Sequence, residues 1–144
     1  MSDYTDFEKK VEENSKRNEK FIKGFEKWLI EKDLVAKTIR KHLSNVDLYI
    51  NDYLNYYEVI KAEDGIDDIY SFIDGWFIRK CLWAPKNSIK EMVASLKKFY
   101  QYMSENNYVN VDDYKFMCIF IKDSMDDFFE TLDDFDNGTY YDIF

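Results

Sequence analysis

The sequence has 144 residues, of which 46% are hydrophobic and 19% aromatic, and it carries a formal net charge of −9. Its length fits one domain, its apolar content excludes wholesale disorder, and 4 Gly and 1 Pro are too few for a many-stranded sandwich or barrel. Taken as a whole, the negative charge argues against nucleic acid as a partner, because phosphates repel an acidic surface.

The spacing of apolar residues predicts helices from the start of the chain. The first spans about 6–32, and its second half presents a core face that begins at Phe21. Its first half has few apolar side chains and is expected to fray or project. A second helix, over about 38–57, places His42 on its apolar arc, where a buried structural histidine is expected rather than a general base. A third, over about 66–82, is apolar on nearly every side and is therefore expected to be central.

Two further helices complete a predicted all-α fold. Ser88 and Glu91 form a capping-box pair, which predicts the start of a fourth helix. We expect residues 1–110 to form the helical body, 111–134 to form an amphipathic acidic helix packed on it, and 135–144 to be a loose acidic and aromatic tail. Four apolar residues fall off the predicted core faces, and we expect some of them to be exposed or buried in an interface; they are Leu48, Tyr102, Phe116 and Ile119.

The charge is distributed unevenly along the chain. Residues 1–61 hold 12 Lys and Arg against 12 Asp and Glu, and residues 62–109 hold 6 against 7. Residues 110–144 hold 2 against 10, so nearly all of the acidity belongs to the last 35 residues. The body is close to neutral, and the net charge of the whole chain therefore does not exclude DNA as its partner.

The fifth predicted helix sorts its acidic residues onto one face. Asp123, Asp126, Asp127 and Glu130 project together, opposite an apolar stripe. The simplest interpretation is a packed helix with a solvated acidic face. The alternatives are a surface that binds a basic protein or a second copy of the chain, and a helix that masks the chain's own basic surface by mimicking DNA.

Several classes of site are excluded by residue content. Two Cys and one His cannot form a structural zinc site of the usual kind, and a partial calcium-loop pattern near the C-terminus has Phe at two ligand positions. No apolar run reaches the roughly 18 residues of a membrane span, and residues 1–10 lack a signal-peptide pattern. We therefore expect a cytoplasmic chain with no cofactor, no membrane contact and no small-molecule substrate.

Two segments carry patterns more specific than helical spacing. Residues 38–49 follow T-x-x-x-(aromatic)-x-x-x-(aliphatic)-x-x-(aromatic), and residues 95–103 follow S-L-x-x-F-Y-x-(aromatic)-(aliphatic). In this order and at this separation they resemble the second and fourth helices of the N-terminal, SAM-like core-binding domain of tyrosine recombinases, or phage integrases. The resemblance covers about residues 20–110 and implies a four-helix orthogonal bundle. It departs from the family at His42, where Tyr is usual.

The resemblance implies DNA binding without catalysis. Family enzymes join this domain to a larger one with an Arg, a Lys, a His-x-x-Arg pair and a Tyr nucleophile, which the last 35 residues cannot hold. A chain of this kind is not expected to be an enzyme. In the family, the second and fourth helices lie against duplex DNA. The matching outward residues are Lys37, Arg40, Lys41 and Ser44 on the second helix, and Lys86, Asn87, Lys90, Lys97 and Gln101 on the fourth. The alternatives are ordinary solubilising charges and an interaction module that has kept the fold but lost DNA.

Overall fold

A computed structural model describes residues 3–80 and 86–136, and every regular element in these two ranges is helical, which confirms the all-α class. None of the helices described is long and apolar enough to cross a membrane. The helices are α1 (Asp3–Glu31), α2 (Ala36–Asp47, continuing as a π-helix over Leu48–Tyr53), α3 (Ile69–Ser71, a π-helix over Phe72–Phe77, then Ile78–Lys80), α4 (Lys86–Glu105) and α5 (Val111–Asp136). A 3-10 helix, Ala62–Asp67, occupies the predicted loop between α2 and α3.

One buried cluster joins all five helices. It contains a fully buried aromatic ring from each helix, namely Phe25, Tyr49, Phe72, Phe99 and Phe128. The Phe25 and Phe99 ring centroids are 5.4 Å apart, which brings α1 against α4, and those of Tyr49 and Phe72 are 4.8 Å apart, which brings α2 against α3. The acidic helix α5 contributes Phe128 to this same cluster. Its apolar side therefore packs on the body, as its periodicity predicts.

The first half of α1 is held against the end of α2 by asparagine side chains. The Asn18 amide donates to the carbonyl of Ile50 at 3.1 Å, and the Asn14 amide donates to Asn55 Oδ1 at 2.9 Å and to the carbonyl of Ile60 at 3.0 Å. The Ile50 carbonyl lies near the end of α2, where carbonyls lack intrahelical partners, and Asn18 satisfies it, whereas Asn14 binds the segment that follows α2. The expectation that this half of α1 frays or projects is wrong for residues 14–18, which polar groups dock, whereas residues 4–13 are helical but mostly exposed.

The C-terminal end of α2 departs from a regular α-helix. The Leu54 N–H donates to the carbonyl of Tyr49, five residues earlier, at 3.0 Å, and the helix ends at Tyr53 rather than at the predicted Tyr57. A π-helix holds more residues per turn than an α-helix, so spacing at 100° per residue does not extend across it. Tyr57 was expected on the buried arc, but it lies beyond the helix and is 73% exposed.

The start of α4 also differs from the prediction. The helix already includes Lys86, so Ser88 lies inside it, and the predicted capping box is wrong. Glu91 instead forms an ion pair with Lys41 of α2 at 2.9 Å. The predicted end of α3, at about residue 82, lies outside the residues that the structure describes.

The four apolar residues that fall off the predicted core faces differ in how far they are buried. Phe116 and Ile119 are exposed, as expected, and Leu48 is half-buried. Tyr102 is buried because α1 crosses that side of α4, and its ring centroid lies 5.9 Å from that of Phe25. At the C-terminus, α5 continues through residues 135 and 136 of the predicted tail, and residues 137–144 lie outside the described ranges.

Candidate nucleic-acid interface

The two helices predicted to contact DNA lie side by side. Lys41 Nζ and Glu91 Oε1 are 2.9 Å apart at an exposed seam between α2 and α4. Below this seam, His42 Nδ1 lies 2.7 Å from Ser95 Oγ, and the Asn45 amide donates to the same oxygen at 3.0 Å. These contacts fix the register of α2 against α4. The two helices are therefore neighbours, and we call the nine predicted DNA-binding residues on them the basic strip.

On α2, the basic strip is open to solvent. Lys37, Arg40, Lys41 and Ser44 are all exposed, and their spacing of three and four residues places them along one side of the helix. The charge of Lys41 is offset by Glu91, but exposed ion pairs of this kind contribute only about 0–1 kcal/mol. A phosphate can therefore replace this carboxylate at little cost.

On α4, the members of the basic strip differ in exposure. Asn87 and Lys90 are exposed, whereas Lys97 and Gln101 are half-buried. The Gln101 amide donates to Glu105 Oε2 at 3.1 Å, on the same helix. Helical spacing places Lys90, Lys97 and Gln101 along one flank, so the side chains point to a common side even though the second half is more enclosed.

The acidic helix α5 flanks one end of the basic strip. The Nζ atoms of Lys86 and Lys90 lie 5.4 Å and 5.9 Å from the centroid of the Phe129 ring of α5, which is the geometry of cation–π contacts. Asp126 and Asp133 stand three residues before and four residues after Phe129, on the same side of α5. Carboxylates of α5 are therefore placed to compete with phosphates for this end of the strip.

His42 is buried in the seam as a hydrogen-bonded structural group. The Ser95 hydroxyl donates to the carbonyl of Glu91 at 3.0 Å, so its oxygen accepts from the amide of Asn45 and from the ring of His42. This assigns the ring proton to Nδ1. Burial lowers the pKa of His42, and the nearby cations Lys98 and Lys41 lower it further. Both His42 and Ser95 are buried, as expected for a structural pair.

The lowered pKa of His42 predicts that the protein becomes less stable in weak acid. Below the ordinary histidine pKa of about 6.5, the unfolded chain binds a proton that the folded chain resists. The free energy of unfolding should therefore fall as the pH drops from 7 to 5, by at most about 1.4 kcal/mol per pH unit. Urea unfolding at several pH values measures this. His42→Gln removes the only histidine and should flatten the dependence over this range, whereas an equal slope in both proteins would contradict it.

The outward face of α5 combines aromatic and acidic groups. Asp123, Asp126, Asp127 and Glu130 are exposed, as their predicted role requires, and the Tyr70 hydroxyl donates to Asp127 Oδ2 at 3.3 Å. Exposed apolar side chains continue the same face toward the N-terminus of α5, and they are Phe116, Ile119 and Phe120. Spacing alone indicated that Phe116 and Ile119 leave the core, but it did not join them to the acidic residues.

Comparisons with known proteins assign no function to this chain. No model of a known family matches the chain, and neither curated proteins nor solved structures show a significant match to it. Within residues 3–80 and 86–136, no group of three or more His, Cys, Asp and Glu side chains is placed to hold a metal ion. Support for a function therefore comes from the charges and contacts of the basic strip and of the outward face of α5.

Proposed function

We propose that this chain is a non-catalytic module that binds duplex DNA through the basic strip, with α1 to α4 arranged as in the SAM-like core-binding domain that its sequence resembles. The observation that carries the proposal is the seam between α2 and α4. Lys41 with Glu91, and His42 with Ser95, hold the two helices in contact, and both helices carry exposed cations such as Lys41 and Lys90. Two helices that were matched to the family by sequence alone are thus neighbours in space.

The chemistry of the strip suits a DNA backbone rather than bases. Arg40 presents a planar group that pairs with phosphate oxygens, and Lys90 and Lys97 act as point charges. Ser44 and Asn87 add short hydrogen-bonding groups that fix the position of the helices on the backbone. Binding of this kind releases counterions and therefore weakens as the salt concentration rises. The acidic helix limits its strength, so binding is expected to be clearest at low salt.

Removing two cations from α4 should weaken DNA binding across all sequences. The variant carries Lys90→Gln and Lys97→Gln in the full-length chain, because α5 shares the core of the body and must be kept. Each lost phosphate contact should reduce the slope of log K against log salt by about 0.9. Fluorescence anisotropy of two labelled duplexes of unrelated sequence, titrated at several salt concentrations, measures both the affinity and the slope.

A matched control removes the same charge from another surface. Lys20 and Lys27 are exposed on α1, and replacing both with Gln changes the net charge equally. This variant should bind DNA nearly as the original chain does. If the two double variants lose affinity equally, the effect comes from net charge alone, and the basic strip is not the DNA-binding surface.

A second candidate function is protein interaction through the outward face of α5. It is favoured by three exposed apolar side chains beside the acidic group, of which Phe116 is 68% and Ile119 62% exposed. Such a face fits a partner with apolar anchors and basic residues, or a second copy of the chain. Light scattering that shows a dimer at all concentrations, with no DNA binding, would favour it. If α5 instead masks the basic strip, removing carboxylates from α5 should strengthen DNA binding.

A further inference from the structure

A cavity of about 550 Å³ opens between the end of α2 and the helix α3. Tyr53, Tyr56 and Tyr57 line it from the end of α2 and the residues that follow, and Trp76 lines it from α3. Tyr53 and Trp76 belong to the π-helical parts of α2 and α3. π-Helical turns are rare and occur frequently at functional sites. The cavity uses no residue of the basic strip.

The aromatic rings of the cavity leave faces open to a ligand. Tyr53 and Tyr56 meet Trp76 edge to face, with interplanar angles of 68° in both pairs, and Tyr56 meets Tyr57 at 75°. Tyr53 stacks on Tyr49 and Trp76 stacks on Phe72, with Lys80 over the Trp76 ring, so the rings with the most open faces are those of Tyr56 and Tyr57. Tyr56 is 59% exposed and Tyr57 is 73% exposed. The cavity therefore offers aromatic surfaces against which a flat ring can stack.

The positive charges around the cavity lie at one end of it. Arg79 and Lys80 line it at the end of α3, and the part of its wall that the structure describes contains no carboxylate. Lys80 Nζ lies 5.4 Å from the centroid of the Trp76 ring, so a cation stands beside the aromatic wall. Carboxylates lie in two adjoining recesses, Glu58 and Asp68 beyond Tyr57, and Asp52 in the recess that shares Tyr56, Trp76 and Lys80 with the cavity. An anionic group is therefore favoured beside Arg79, which lines neither of the recesses that contain these carboxylates.

The wall of the cavity has room where α3 carries a glycine. A Cβ atom built at Gly75 would meet no other atom within 4 Å, so the space in front of this residue is open. Ser71, one turn earlier on α3, adds a hydroxyl to the same wall. A ligand that combines a flat ring, polar edges and a negative charge matches this set of groups.

We propose that this cavity binds an unpaired nucleotide of single-stranded nucleic acid, with the base against Tyr56 and Tyr57 and the phosphate at Arg79 and Lys80. Every base has a flat face, so stacking on aromatic rings tolerates any sequence, and nearby cations hold the backbone. The site does not depend on duplex binding by the basic strip. An acidic peptide with aromatic residues has similar groups and is the competing ligand in the test.

The test measures binding of a fluorescein-labelled oligothymidylate to the full-length chain at low salt. Tyr57→Ala removes an exposed ring and should weaken binding about five- to hundredfold. Gly75→Leu places a side chain in the open space and should abolish binding, and Arg79→Gln should weaken it and reduce its salt dependence. Tyr4→Ala, which removes a ring that is 70% exposed on α1, is the matched control and should have no effect.

The same variants separate this site from the basic strip. Tyr57→Ala and Gly75→Leu should leave duplex binding unchanged, whereas Arg40→Gln should weaken duplex binding and spare the oligothymidylate. Thermal unfolding of each variant checks that the fold is kept. The proposal is overturned if the original chain does not bind the oligothymidylate, if the three cavity variants bind it as the control does, or if only a labelled Asp- and Tyr-containing peptide binds.

Discussion

Replacing Phe128 with Ala is expected to lower the free energy of unfolding by about 3–5 kcal/mol. The Phe128 side chain is fully buried, and its ring centroid lies 5.3 Å from that of Tyr70 in α3. Truncation removes the transfer free energy of the ring and leaves a cavity where α5 meets the body. Urea unfolding followed by circular dichroism measures the loss. The result tests whether the acidic helix is part of the same cooperative core.

A second phenylalanine on the same helix is the control. Phe116 is 68% exposed on the outward face of α5, and Phe116→Ala should change the free energy of unfolding by no more than about 0.5 kcal/mol. Equal losses in the two variants would mean that the faces of α5 are assigned incorrectly. A small effect of Phe128→Ala would mean that α5 does not pack on the body.

Replacing Gly24 with Ala is expected to destabilise the protein by about 1–3 kcal/mol, although Ala usually favours a helix. A Cβ at this position would overlap the hydroxyl of Tyr102 and lie 3.0 Å from its Cζ. Tyr102 is buried among Phe25, Trp28 and Phe99, so its ring has little room to move. Thermal or urea unfolding of the variant measures the cost of this overlap.

Two further variants isolate the overlap between α1 and α4. Tyr102→Phe removes the hydroxyl, and when combined with Gly24→Ala it should recover at least half of the lost stability. Gly75→Ala makes the same change in α3, where a Cβ meets nothing within 4 Å, and it should be neutral or slightly stabilising. A Gly24→Ala protein as stable as the original would show that α1 and α4 do not approach as closely as described.

The helices and most of their core faces could be predicted from the sequence because they depend on local periodicity. The apolar stripe of α4, from Ile89 to Met103, repeats every three to four residues and is buried as expected. The burial of His42 followed from its place on the apolar arc of α2. The exposure of Phe116 and Ile119 followed from geometry as well, since they cannot share a face with Met117.

The features that the sequence analysis missed depend on contacts between distant residues. Asn14 and Asn18 carry no apolar signal, and their role follows only from the carbonyls that they meet, that of Ile50 near the end of α2 and that of Ile60 beyond it. The burial of Tyr102 depends on where α1 crosses α4. The aromatic cavity depends on the π-helical end of α2, which changes the direction of the side chains that follow, Tyr56 and Tyr57.

The net charge of −9 is divided unevenly between a nearly neutral body and the acidic helix α5, and the two are expected to have separate roles. The basic strip lies on a nearly neutral body, and the Phe129 ring of the acidic helix α5 lies against Lys86 and Lys90 at one end of it. If the proposed function holds, the acidic helix sets the upper limit of DNA affinity rather than preventing binding. Its outward face, where Phe116, Ile119 and Phe120 lie beside the carboxylates, is exposed.

The most direct test of duplex binding is a salt titration of the unaltered, full-length chain with a labelled duplex. Six Lys and Arg residues in the basic strip predict that log K falls linearly with log salt, with a slope no steeper than about −5. Binding that is measurable at low salt and weakens in this way is the predicted result. No binding at low salt, or an affinity that does not change with salt, would contradict the proposed function.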